Sequence, residues 1–116
     1  MTTRANYYIN TADEFLAKAR AYLADDDLLQ ASEKGWGAAT QMAKAVAESR
    51  GWQHASHRDL HHTVDRLADD AQIRALFLSA NALHTNFYEG WMTAGLVDQG
   101  LSDVEALVGL LEPLLS

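Results

Sequence analysis

The chain has 116 residues, 48% of them hydrophobic and 22% charged, with sixteen Asp and Glu against nine Lys and Arg for a formal net charge of −7. That describes one globular domain, expected to span 1–116, with enough apolar surface for a single core. The acidic balance argues against binding DNA or a membrane non-specifically over the whole surface, and the absence of cysteine excludes disulfides, thiolate chemistry and cysteine-held metals.

The opening segment MTTRANYYIN lacks the apolar run of a signal peptide. No apolar stretch approaches the roughly 18 residues of a membrane span, so a cytoplasmic protein is expected. The first helix is predicted to open at Thr11, with Glu14 completing a capping box and Phe15, Ala19, Tyr22 and Leu23 on one face. Asp25, Asp26 and Asp27 follow and suit the positive start of the next helix. The second helix is predicted over Leu28 to Arg50, stopped by Gly51. Its stripe of Leu28, Ala31, Gly35, Ala39, Met42 and Val46 is narrow and implies close approach of another helix. A third helix starts after Ser56, with Asp59 three residues on, and reaches about Asp69 with Leu60, Val64 and Leu67 inward. The fourth is expected from about Ala71 to Met92, with Ile73, Leu76, Phe77, Ala80, Leu83, Phe87 and Trp91 as its apolar face. The last begins after Ser102, with Glu105 completing a capping box and Val104, Leu107, Val108, Leu111 and Leu114 inward. With one proline and no period-2 pattern, the fold class is all-α, an up-and-down antiparallel bundle of about five helices.

Charge is unevenly spread. Residues 75–116 hold five acids and neither Lys nor Arg, whereas 50–66 carry Arg50, Arg58, Arg66 and four of the five histidines. Arginine offers a planar fork of donors to phosphate or carboxylate, and a helix start near Ser56 adds N–H groups and a positive dipole end. Arg50, His54, His57 and Arg58 are therefore the candidate anion site; the alternative is a solvated hinge whose histidines cap helices and meet nearby acids. Crowded cations should depress the histidine pKa values, and a bound anion should raise them.

His57, His61 and Asp65 share one helix face, but Asp65 lies two turns, about 11 Å, from His57, too far for one ion. No metal site and no cofactor are predicted. On the fourth helix His84, Asn86 and Tyr88 form a second candidate wall, an aromatic face with polar handles for a base or sugar. No nucleophile elbow, phosphate loop or paired-carboxylate motif accompanies it, so catalytic residues stay unassigned. Tyr7, Tyr8, Tyr22, Trp36, Trp52, Tyr88 and Trp91 are more large rings than a small core can hide, which points to a homodimer.

The stretch Gln30–Ala39, then Lys44-Ala45, Gly51-Trp52, Ser56–Leu60 and Leu83–Glu89 resembles the archaeal PaREP family of small helical proteins. More distantly, the order of these segments resembles the HEPN superfamily of nucleotide-binding helical domains. The resemblance implies a dimeric bundle, nucleotide binding, and association with minimal nucleotidyltransferases or metal-independent RNA cleavage in toxin–antitoxin pairs. HEPN nucleases carry Arg, four to six residues, then His late in the bundle. Here Arg50 and His57 meet that spacing between the second and third helices, while Arg74 and His84 on the fourth are too far apart. The leading expectation is thus a HEPN-like binding module for a nucleotide, RNA or other phosphate-bearing ligand. Its alternatives are a protein-interaction module, whose partner the resemblance makes a nucleotidyltransferase, and a ribonuclease using Arg50 with His57 or His84.

Overall fold

Four helices start where a short oxygen-bearing side chain takes up a free backbone N–H. In the computed structural model, which describes residues 3–67 and 70–115, Asp27 accepts from Gln30 N at the head of α2 (Leu28–Arg50) and Ser56 from Asp59 N at the head of α3 (His57–Arg66). Asp70 accepts from Gln72 N and Ile73 N to start α4 (Ala71–Glu89), and Thr93 from Leu96 N to start α5 (Ala94–Leu111). α1 runs Thr3–Ala24, and a 3-10 turn over Glu112–Leu115 follows α5. The regular structure of the described residues is all helical.

Three predicted boundaries move. α1 begins at Thr3 and passes straight through Thr11, whose hydroxyl donates back to the Tyr7 carbonyl at 2.8 Å instead of capping. α5 begins at Thr93, so Ser102 and Glu105 lie inside it and face Arg20 of α1, which also pairs with Asp98. α4 ends at Glu89 because Gly90 takes the left-handed conformation at φ 63°, and Trp91, predicted as core, is left 51% exposed. α3 stops at Arg66; its predicted end at Asp69 lies outside the described residues.

α1, α2, α4 and α5 run alternately up and down, with α3 set into the connection between α2 and α4. α1 lays Ala5, Ala12 and Ala19, all fully buried and seven apart, along α2. The Phe15 ring fills the space over Gly37, where a Cβ would stand 2.9 Å from it. α2 in turn packs on α4 and α5 through two notches. A Cβ on Gly35 would stand 2.5 Å from Leu101 Cδ2 and 3.0 Å from Leu83 Cδ1, and one on Gly100 2.6 Å from Leu83 Cδ2. The small-residue stripe of α2 is therefore a contact surface, as its composition implies. One buried polar link crosses the same region. Asn86 Nδ2 donates to Ser32 Oγ at 2.8 Å, while Asn86 Oδ1 accepts from Met92 N at 2.7 Å, tying α4 to α2 and closing the turn before α5.

Two pairs of substitutions test this packing by urea denaturation. Gly35→Ala is expected to cost about 1–2 kcal/mol, since crowding two buried leucines outweighs the helical gain. Gly109→Ala, with no atom near its would-be Cβ, should instead stabilise by about 0.5–1 kcal/mol. Asn86→Leu should cost about 1–3 kcal/mol by stranding its two partners, and Asn6→Leu on the exposed face of α1 close to nothing.

Candidate functional site

Trp36 is the centre of the most concentrated group of functional side chains. It follows Gly35 on α2, so the close approach at the glycine turns the indole into the junction of α2, α3 and α4, where it is 6% exposed. Its ring centroid lies 5.0 Å from His57, 5.1 Å from His84, 5.4 Å from Phe77 and 6.3 Å from His61. The His57 and His61 rings are 4.8 Å apart, one helical turn from each other on α3. The sequence placed Trp36 among rings for an interface; here it is a platform beneath three imidazoles.

The polar atoms above this platform form a triangle on one side and a separate pair on the other. His57 Nε2 lies 3.0 Å and His61 Nε2 3.4 Å from Asn81 Oδ1, and the two ring nitrogens are 3.1 Å apart. His84 Nδ1 donates to Glu33 Oε1 at 3.1 Å, which turns Nε2 away from that carboxylate. Tyr88 meets the His84 ring edge-on at 5.1 Å and is 72% exposed. His57 from the first predicted site thus joins His84 and Tyr88 from the second. Asn86 does not; it is buried against Ser32. Burial pushes the His61 imidazole below its ordinary value, with His57 and His62 adding to the effect and the Asn81 contact opposing it. At His61 the first cause of the depression is desolvation, ahead of the crowding of neighbouring cations.

A second group forms around Trp52. Gly51, left-handed at φ 70°, ends α2 and lets Trp52 N donate to the Ala47 carbonyl at 2.9 Å, a Schellman closure that folds the indole back beside the helix end. The Arg66 guanidinium then lies 4.8 Å and that of Arg50 5.6 Å from the Trp52 ring centre. Among the described residues neither guanidinium has a carboxylate within ion-pair distance. They border an open cleft of about 450 Å³ lined also by Leu67, Asp70, Ile73, Leu110 and Leu114, and Arg66 also borders a smaller one of about 150 Å³ with Trp52, Gln53, Asp59, His62 and Thr63.

The predicted anion cluster is therefore divided. His54 Nε2 donates to Glu48 Oε2 at 2.8 Å and its ring meets that of Tyr8, so it belongs to the α1–α2 end, where Arg4 also pairs with Glu48. Arg58 is exposed on the first turn of α3. The N–H groups at that helix start are partly spent, because Ser56 and Asp59 cap each other there. On α3 itself, His57 and His61 lie on one side of the buried Leu60–Thr63–Val64 stripe and Arg66 on the other. Arg50 and His57 consequently belong to different groups. Sequence reasoning had no hold on Trp36, Asn81 or Glu33 as site residues; the Asn81–His84 spacing, one turn apart on a polar stretch, was the available signal.

The fold and these two groups define an all-α, up-and-down bundle with a basic, ring-lined side on an acidic chain. The chain belongs to the archaeal PaREP1/PaREP8 family, whose model matches residues 7–108. Its fold is similar to that of a Sulfolobus solfataricus protein solved by crystallography, at 24% identity over 100% of this chain and 99% of that one, with a TM-score of 0.78. Comparison with curated proteins gives no match. No described helix is long and apolar enough to cross a membrane.

The His61 shift has a signed consequence. As pH falls through 6.5, the unfolded chain takes up this proton before the folded one does, so His61 lowers stability from there down to its folded pKa and adds nothing further below it. In an NMR titration of the ring protons, His61 should show a midpoint below 6.5; a midpoint at or above that value would contradict the burial argument.

Proposed function

We propose that this protein is a binding module for a phosphate-bearing ligand, a nucleotide or an RNA end, taken up at Arg50, Trp52 and Arg66. The observation that carries the reading is the pair of guanidiniums on one indole, neither within ion-pair distance of a carboxylate among the described residues, beside an open cleft. Arginine held by an aromatic ring keeps its fork of N–H donors free for bidentate contact with phosphate. The apolar wall of Leu67, Ile73, Leu110 and Leu114 suits the uncharged part of such a ligand. The basic spot is local, so it selects an anion that fits the cleft and does not hold polyanions over the whole −7 surface. The likeness of the sequence to HEPN domains, which bind nucleotides, supports the same reading.

The module acts as a homodimer in this proposal. Leu29, Tyr88, Trp91 and Leu96 are all exposed at the end of the bundle where α2 and α5 start and α4 finishes, and Leu29 reaches to within 3.9 Å of the would-be Cβ of Gly90. An apolar surface of that kind is covered by a second copy or by a different protein. A companion protein, such as a nucleotidyltransferase, is the second reading for this patch, and ribonuclease activity has less support because Arg50 and His57 stand in separate groups.

Two measurements check the proposal. Titration calorimetry with ATP, AMP and a 5′-phosphorylated short RNA should find at least one ligand that Arg50→Ala/Arg66→Ala binds about tenfold or more weakly, and whose affinity falls with added salt. Unchanged affinity in the double variant, or no binding by any of the three, would overturn it. Light scattering should give twice the chain mass for the protein and the single mass for Trp91→Lys; a monomeric parent would transfer the patch to a different partner.

A further inference from the structure

Above Trp36, three lone-pair atoms meet with too few protons between them. His57 Nε2, His61 Nε2 and Asn81 Oδ1 form a triangle with sides of 3.0, 3.1 and 3.4 Å. Each imidazole nitrogen carries at most one hydrogen, fixed in its ring plane, and the amide oxygen carries none. Hydrogen bonding can therefore serve two sides at the most. When both nitrogens are protonated, the 3.1 Å side turns into a contact between two donors. A cation bound to all three atoms satisfies every side at once. Bonds of about 2.0–2.1 Å place ligand atoms about 3.3–3.4 Å apart around a tetrahedral ion and about 2.9 Å apart around an octahedral one, and the observed sides fall within that span.

We propose that His57 and His61 of α3 and Asn81 of α4 form a site for one divalent transition-metal ion of the Zn²⁺, Co²⁺ or Ni²⁺ type, with its remaining positions open to water. Two neutral imidazoles and an amide oxygen are donors for such ions; Mg²⁺ and Ca²⁺ require more oxygens and carboxylates. The site is also pre-ordered. The His57 and His61 rings rest on Trp36, and the edge of His61 meets Phe77 at 4.9 Å, so little side-chain freedom remains to be lost on binding. Among the described residues no three His, Cys, Asp or Glu side chains gather around one point; the third donor here is an amide from another helix. Asp65, the third ligand that helical spacing offers, turns instead toward Arg74 at 3.8 Å and is 76% exposed. The site uses none of Arg50, Trp52 or Arg66, so it stands or falls apart from the phosphate reading.

The test is a titration of the untagged full chain with ZnCl₂ at about pH 7.5, followed by calorimetry, with CoCl₂ for visible absorption. One ion per chain is expected, with the His57 and His61 ring protons moving first in NMR spectra. His57→Ala and His61→Ala should each weaken binding about tenfold or more. His57 is exposed, so its variant is expected to keep the parent circular dichroism. Asn81→Asp supplies the discriminating result. If the amide oxygen faces the imidazoles as a ligand, the carboxylate should tighten Zn²⁺ binding several-fold. If the amide is turned over and Nδ2 donates to the rings in a plain hydrogen-bond network, Asn81→Asp should bring no gain. The proposal is overturned by no binding into the millimolar range, by affinity unchanged in both histidine variants, or by an Asn81→Asp variant that binds no more tightly than the parent.

Discussion

Everything in this bundle is arranged around the contact of Leu83 and Leu101 with the bare backbone of Gly35 and Gly100. The two glycines leave room for leucine methyls where any Cβ would collide with them, so α2, α4 and α5 approach more closely than larger residues would allow. The cost is about 1 kcal/mol of helix propensity at each glycine. It is offset by the full burial of Leu83 and Leu101, each stabilising by about 1.5–3 kcal/mol. Because Trp36 is the next residue along α2, the same contact sets the direction of its indole. The Trp36 platform, and with it the spacing of His57, His61 and His84, is inherited from a packing constraint.

α3 divides the chemistry. Ten residues long and set across the bundle, it buries only Leu60, Thr63 and Val64. The two flanks of that stripe carry different functional groups, imidazoles toward Trp36 and Arg66 toward Trp52. The acids are distributed to match. Asp98 and Glu105 are engaged by Arg20, Asp103 accepts from Ser79 and Gln99, and Glu48 is shared between Arg4 and His54. These contacts keep Asp98, Asp103, Glu105 and Glu48 on the α1–α5, α4–α5 and α1–α2 sides, while Arg50 and Arg66 lie over an indole, a surface that costs a guanidinium little hydration.

Much of the fold was legible from local chemistry. Asp27 and Ser56 precede their helices with the short oxygen side chains that the first free N–H groups need, and Gly51 ends α2 because only a residue tolerant of positive φ closes it there. The same logic misplaced two starts. Thr11-x-x-Glu14 and Ser102-x-x-Glu105 fit the capping pattern, but that pattern has no means of telling a helix start from an interior turn. Thr11 bonds its own preceding turn, and Glu105 is taken by Arg20, more than eighty residues away. Glycine at 90 was the overlooked stop, and Trp91 went with it.

By itself, the sequence determined the helical class, the caps at Ser56 and Gly51, the small-residue seam of α2 and the concentration of basic and imidazole groups between residues 50 and 66. All of these follow from composition and from spacing along one chain segment, where a residue's neighbours are three or four positions away. Only the tertiary structure decided which of those groups work together. His57 and Arg50 are close in sequence but separated by the body of α3, whereas Asn81 and Trp36 come from different helices and reach His57 only because the glycine notch brings α2 and α4 together. Contacts between helices depend on how faces pack, and no spacing within one segment encodes them.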